Sequence, residues 1–134
     1  MRVDLPQTLR DAIFAAARAA HPGECCGLLE GLAADGLWSV RALHAARNLS
    51  GDPQRFDIDP ADHVAAQKAA RAKGHAIIGC YHSHPRGRAE PSAIDLAGAG
   101  QENFLWLIAA GEALNAFVYL RGRFTGAVWV TSES

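Results

Sequence analysis

The chain changes its hydrophobic period along its length, and that alternation limits what it can fold into. In LPQTLRDAIFAAARAA the apolar residues Leu9, Ala12, Ile13, Ala16 and Ala20 recur at helical spacing, with Pro6 suited to a first turn. Pro22 and Gly23 end that helix. CCGLLEG then reads as a short buried strand and LAADG as a hairpin connection. LWSVRALHAARN is the partner strand, with Leu37, Val40 and Leu43 among its apolar residues. NLSGDPQ has loop chemistry, and RFDID reads as a further short strand. Helical spacing returns after Asp59-Pro60, a helix-start signal to which Asp62 adds charge, and ADHVAAQKAARAK stops at Gly74. HAIIGCYHSH is β-branched and aromatic, the pattern of a central strand. PSAIDLAGAG turns from a loop into a short helix. FLWLIAA, LNAFVYLRG and RFTGAVWV read as three strands joined by tight glycine-containing turns.

Strands interleaved with two full helices predict an α/β domain with a mixed sheet. At 134 residues the chain is the size of a single domain, 1–134, and its composition is 49% hydrophobic. Such a chain can bury roughly two-thirds of its unfolded surface without staples, which argues against disorder. The formal net charge is −1 with acids and bases interspersed, so no nucleic-acid footprint is expected. The three cysteines, Cys25, Cys26 and Cys80, are odd in number and two are adjacent. They make a poor disulfide framework and point to a reducing compartment. The N-terminal MRVDLPQTLRDAIF lacks the pattern of a signal peptide, and AIFAAA and LWLIAA are too short to cross a bilayer. The expectation is a soluble, cytoplasmic protein with no membrane association.

Residues 79–98, GCYHSHPRGRAEPSAIDLAG, concentrate the chemistry. On a strand, residues two apart share a face, so His82 and His84 project together while Ser83 turns away. Asp95, ten residues beyond Pro85, can return a carboxylate to the same point. Two histidines and a carboxylate with an open fourth position are a catalytic-zinc ligand set. Ser92 and Asp95 also have the spacing of a helix cap, Ser92 as N-cap with Asp95 favoured by the dipole. Glu24 leads into the first apolar strand, where a carboxylate is costly unless it has a partner or a task. The ordinary alternative for it is an exposed strand-end acid. Glu30 is the other acid of that region and ranks behind Glu24. His21, His44, His63 and His75 read as surface or hydrogen-bonded residues. Cys80 shares a strand face with His82, yet a small core hydrophobe is the better reading. Cys25 and Cys26 point to opposite faces, against a structural zinc site shared with His82 and His84.

His82-Ser83-His84-Pro85, six residues, then Ser92-Ala93-Ile94-Asp95 resembles the JAMM signature H-x-H-P-x6-S-x-x-D, and Glu24 in Glu24-Cys25-Cys26-Gly27-Leu28-Leu29 matches its upstream glutamate. RFDIDP, residues 55–60, resembles the segment before that family's second helix. The chain is similar to compact bacterial JAMM (JAB or MPN) metallopeptidases over nearly its whole length. The resemblance implies an MPN-like domain whose mixed, curved sheet packs with helices in a cytidine-deaminase-like arrangement. It implies one Zn2+ held by His82, His84 and Asp95, Glu24 as general base and then acid, and Ser92 as oxyanion donor. The implied reaction is hydrolysis of a peptide or isopeptide bond after the C-terminal Gly-Gly of a ubiquitin-like, sulfur-carrier protein. Homodimers are common among similar proteins. Arg86 and Arg88 lie in the loop between the histidines and Ser92; such residues are ordinarily a solvated loop, and the expectation here is that one of them binds a product carboxylate. Three other readings stand beside this one: a non-catalytic MPN scaffold, a non-haem iron oxygenase, and a peptidase of the same fold from a phage-tail or secondary-metabolite system.

Overall fold

A computed structural model describes residues 1–52 and 55–130. Pro53 and Gln54 of the predicted loop, and the last four residues of the predicted domain, lie outside the described residues. The elements run β1 (Arg2–Asp4), α1 (Gln7–Ala20), β2 (Cys26–Ala34), β3 (Leu37–Ala46), α2 (Pro60–Ala72), β4 (Ala76–Ser83), α3 (Ala93–Gly98), β5 (Phe104–Ala110), β6 (Ala113–Leu120) and β7 (Arg123–Trp129).

The helices start where the sequence signals them. Pro6 immediately precedes α1 without a side-chain capping bond, and the Asp59 carboxylate accepts the Ala61 N–H at the head of α2. Lys73 closes α2, and Gly74 follows with φ +73°, a left-handed conformation that suits glycine. Asp35 and Gly36, both with positive φ, make the two-residue turn between β2 and β3. β2 therefore continues through Leu32–Ala34, into the segment whose sequence suggests the connection.

The strands are ordered β1-β3-β2-β4-β5-β6-β7, and β1 pairs in parallel with both β3 and β7. The sheet is mixed, as expected, but closes on itself. Sequence reading missed β1, the closing strand, because three residues are too few to show a period. RFDID is not a strand either. The Asn48 side chain accepts the Asp57 N–H at 2.9 Å and donates to the Arg55 carbonyl at 3.0 Å. Those bonds leave one isolated bridge, Asn48 to Ile58, where a ladder was expected.

Alternate residues of the central strands feed two core clusters. Leu29, Tyr81, Leu105 and Leu107 join Val3, Ile13, Val40 and Val118 in one. Leu28, Cys80, Phe104 and Trp106 meet Ala66 of α2 in the other. β4 is covered on both faces, which explains its near-continuous apolar run. β4 and β5 approach so closely that a Cβ on Gly79 would strike the Leu105 carbonyl. Among the described residues no helix is long and apolar enough to cross a membrane.

Candidate metal centre

The centre forms where β4 ends between β2 and β5. His82 lies opposite Cys26 on one side and Ile108 on the other and is fully buried. Phe56 stacks on its ring at 4.3 Å, and Trp106 meets it edge-on at 5.6 Å. His84 lies just past the strand, and its N–H extends the ladder to the Ala109 carbonyl at 2.8 Å. The imidazoles thus share a face, as the period of two requires. Ser83 points away, and its Oγ accepts the Cys25 N–H at 2.9 Å, pinning the start of β2 beside the histidines.

Asp95 arrives on the first turn of α3. Ser92 Oγ accepts the Asp95 N–H at 3.0 Å, and Asp95 Oδ2 accepts the Ser92 N–H at 2.9 Å, a complete capping box. The capping alternative is therefore correct, and the cap also aims the carboxylate. Asp95 Oδ2 lies 3.2 Å from His82 Nε2 and 3.1 Å from His84 Nε2, and the two nitrogens are 3.1 Å apart. The His84 Nδ1–H donates to the Arg88 carbonyl at 2.8 Å, which leaves a lone pair on Nε2 in the neutral ring. Atoms with lone pairs can lie this close only where a proton or a cation is shared among them. A tetrahedral zinc bound at about 2.0–2.1 Å spaces its ligands by about 3.3 Å, so the donor set fits that ion.

Titration behaviour follows from the same contacts. Burial raises the Asp95 carboxyl, and hydrogen bonds to His82 and His84 overcome it, holding Asp95 well below the usual carboxylate range. Burial lowers His82 against the pull of Asp95. The Asp95 hydrogen bond raises His84 despite partial burial.

Glu24 is buried, with Oε1 lacking any partner, and offers a donor atom within 4.8 Å of those of His82 and His84. Burial lifts its carboxyl from 4.5 to about 7, with His84 opposing and Asp95 adding to the rise. It is not the exposed strand-end acid of the ordinary reading. Glu24, His84, Ser92, Arg86, Pro85 and Ile94 line a cleft of about 430 Å³. Ser92 Oγ has spent a lone pair on the helix cap, and its hydroxyl hydrogen can still be donated. Arg86 reaches this cleft. Arg88 is exposed and contributes its backbone carbonyl to His84.

The three cysteines are free and buried. Cys80 packs with Leu28, Phe104 and Trp106, and burial pushes its thiol well up, the behaviour of a core residue. Burial also pushes Cys26 up to about 12. Sequence reasoning did not find Phe56 as the stacking partner of His82. Nor did it find that Glu30 is buried between His44 Nε2 at 2.8 Å and His75 Nδ1 at 2.7 Å. The one available signal was an acid inside an apolar strand. His44 and His75 are the hydrogen-bonded histidines expected.

A family profile described as prokaryotic homologs of the JAB domain matches residues 6–121. The chain belongs to this family. A desampylase of Haloferax volcanii is 30% identical to it over 137 aligned positions, covering 98% of this JAB chain and 91% of the relative. Tail tip assembly protein K of Escherichia phage N15 is 32% identical over 101 positions, which span 75% of this chain and 37% of the phage protein. A Desulfitobacterium hafniense protein solved in solution superposes with a TM-score of 0.86 at 27% identity, covering 100% of this chain and 94% of that one. The crystal structure of a JAB1/MPN domain protein from Archaeoglobus fulgidus matches with a TM-score of 0.53 at 19% identity, over 98% and 97% of the two chains. The MPN-type α/β arrangement expected from the motif is therefore the fold.

Proposed function

We propose that this JAB-domain protein is a zinc metallopeptidase that cuts after the C-terminal Gly-Gly of a ubiquitin-like sulfur-carrier protein or its conjugate. The observation that carries the chemistry is the convergence of His82, His84 and Asp95 within 3.2 Å beside the buried Glu24 carboxylate, whose Oε1 has no partner. The likeness to a desampylase across nearly the whole chain supports a hydrolytic role. In this reading His82, His84 and Asp95 hold the zinc. When bound there, zinc supplies a nucleophilic hydroxide at neutral pH by lowering the pKa of its water to about 7.

The chain's own residues do the rest. Glu24, with a carboxyl near neutrality, takes the proton of the attacking water and returns it to the departing amine. Ser92, at the cleft edge, donates its hydroxyl hydrogen to the oxyanion of the cleaved carbonyl; losing such a donor typically costs on the order of 10²–10³ in turnover. Arg86 faces the same cleft and pairs with a carboxylate on the leaving side. The flexible tail of the carrier enters in extended form.

Intact-mass spectrometry tests this reading with a ubiquitin-like sulfur carrier bearing a short extension beyond its Gly-Gly. The zinc-loaded protein is expected to remove only the extension, and a chelator to stop it. An unchanged mass after incubation with the zinc-loaded protein would refute the substrate assignment. The likeness to the phage protein favours a second reading, in which the same centre cuts a phage-tail peptide. Cleavage of such a peptide with the carrier untouched would select it.

A further inference from the structure

Residues 84–92 must carry the second imidazole and also deliver Ser92 and Asp95, so their conformation fixes the whole centre. The structure anchors the segment to the sheet at both ends. Near its start, the His84 N–H bonds to Ala109 and the His84 Nδ1–H to the Arg88 carbonyl. Further along, Ala89 is buried between exposed Arg88 and Glu90, and its carbonyl accepts the Asn115 Nδ2–H of β6 at 3.1 Å.

Asn115 stands in a row with His82. It lies opposite Ile108 of β5, which in turn lies opposite His82 of β4, so all three side chains share one face of the sheet. Asparagine is disfavoured in strands, and an exposed one here contributes nothing to the core. What it does contribute is the tether. The Arg88 and Ala89 carbonyls belong to neighbouring peptide planes, related by only two soft dihedrals, so holding one restricts the other.

We infer that Asn115 is a positioning residue for the metal centre: by holding the Ala89 carbonyl it sets the Arg88 carbonyl that receives the His84 Nδ1–H. That contact keeps His84 in the tautomer whose Nε2 lone pair faces His82 and Asp95. The inference rests on the metal reading above, and it assigns the tautomer of His84 to a residue 31 positions away on another strand. Loss of a partner that orients a metal ligand typically costs about 10–100-fold in metal affinity.

Asn115→Val, which favours a strand but has no amide, and Asn115→Leu, which is similar in size, test it. Zinc affinity is measured by competition with a chromophoric chelator, and thermal melting is measured on the metal-free proteins. Both variants are expected to bind zinc at least about tenfold more weakly. Their metal-free melting temperatures should stay within about 3 °C of the parent, as for a surface substitution. In the zinc-loaded parent the His84 Nδ1–H gives an exchange-protected proton resonance, which should broaden in both variants. Unchanged zinc affinity in both would overturn the inference. So would weaker binding accompanied by a metal-free melting temperature lowered well beyond that range, because the role would then be structural. A parent that takes up no zinc would instead overturn the metal reading itself.

Discussion

Replacing Glu24 with glutamine should make the metal-free protein more stable in alkali while removing its activity. The reason lies in the Glu24 environment. Its carboxyl is buried, one oxygen has no partner, and burial lifts its midpoint from 4.5 to about 7. Between those values the folded chain binds a proton that the unfolded chain has released. Stability therefore falls as pH rises through that window and stays low above it. At about 1.4 kcal/mol per pH unit the ceiling is about 3 kcal/mol, and water in the adjoining cleft reduces this to about 1–3 kcal/mol. Glutamine resembles the protonated carboxyl in shape and charge and escapes the penalty. Denaturant unfolding of parent and Glu24→Gln, in chelator, at intervals from pH 4.5 to pH 8.5 measures the difference. The variant should match the parent at the acid end and exceed it by about 1–3 kcal/mol at the alkaline end. A difference that is constant across the series would refute the argument, because burial of the charge would then cost nothing. The same variant should retain zinc and lose most turnover, since only the proton carrier has gone. Parent-like turnover would remove Glu24 from that role.

Other perturbations probe separate parts of the molecule. Asp95→Ala removes a donor and half of the capping box together, so zinc content by elemental analysis and activity should both fall to background; full occupancy would sink the ligand assignment. Arg86→Ala should raise KM for substrates whose leaving part ends in a free carboxylate, with kcat little changed. Arg88→Ala keeps the backbone carbonyl used by His84 and should leave both near parent values; the reverse ranking would mean that Arg88 binds the carboxylate. Glu30→Gln should destabilise the fold by about 1–3 kcal/mol at pH 7, because a buried carboxylate that bonds two histidines is exchanged for an amide with a single acceptor oxygen. Burial raises the Glu30 carboxyl, but its bonds to His75 and His44 hold it below the usual value. Its contribution should therefore be full above pH 4.5 and fade as pH falls through the lowered midpoint; denaturant midpoints that do not respond to acid would contradict this.

Local spacing carried much of this site. A strand puts alternate residues on one face, so His82-x-His84 already meant two imidazoles together. A capping box places a carboxylate at the third residue after the N-cap, so Ser92-x-x-Asp95 already meant an oriented Asp95. Both are relations between residues close in the chain, fixed by backbone geometry whatever the rest of the fold does. The helices were legible for the same reason, since Asp59-Pro60 and Gly74 act on their own neighbours. Tertiary structure decided the rest. Glu24 meets His84 only because β2 lies antiparallel to β4 and Ser83 pins its start. Phe56 covers His82 because Asn48 bonds across the following loop, and those bonds prevent the strand that RFDID suggests. Three residues of β1 close the sheet, and Asn115 reaches the loop through the register of β5 and β6. Apart from the Asn48 bonds, none of these pairs is near in sequence. Their contacts depend on which strands become neighbours, a choice made by burial of both faces of the sheet together rather than by any local pattern.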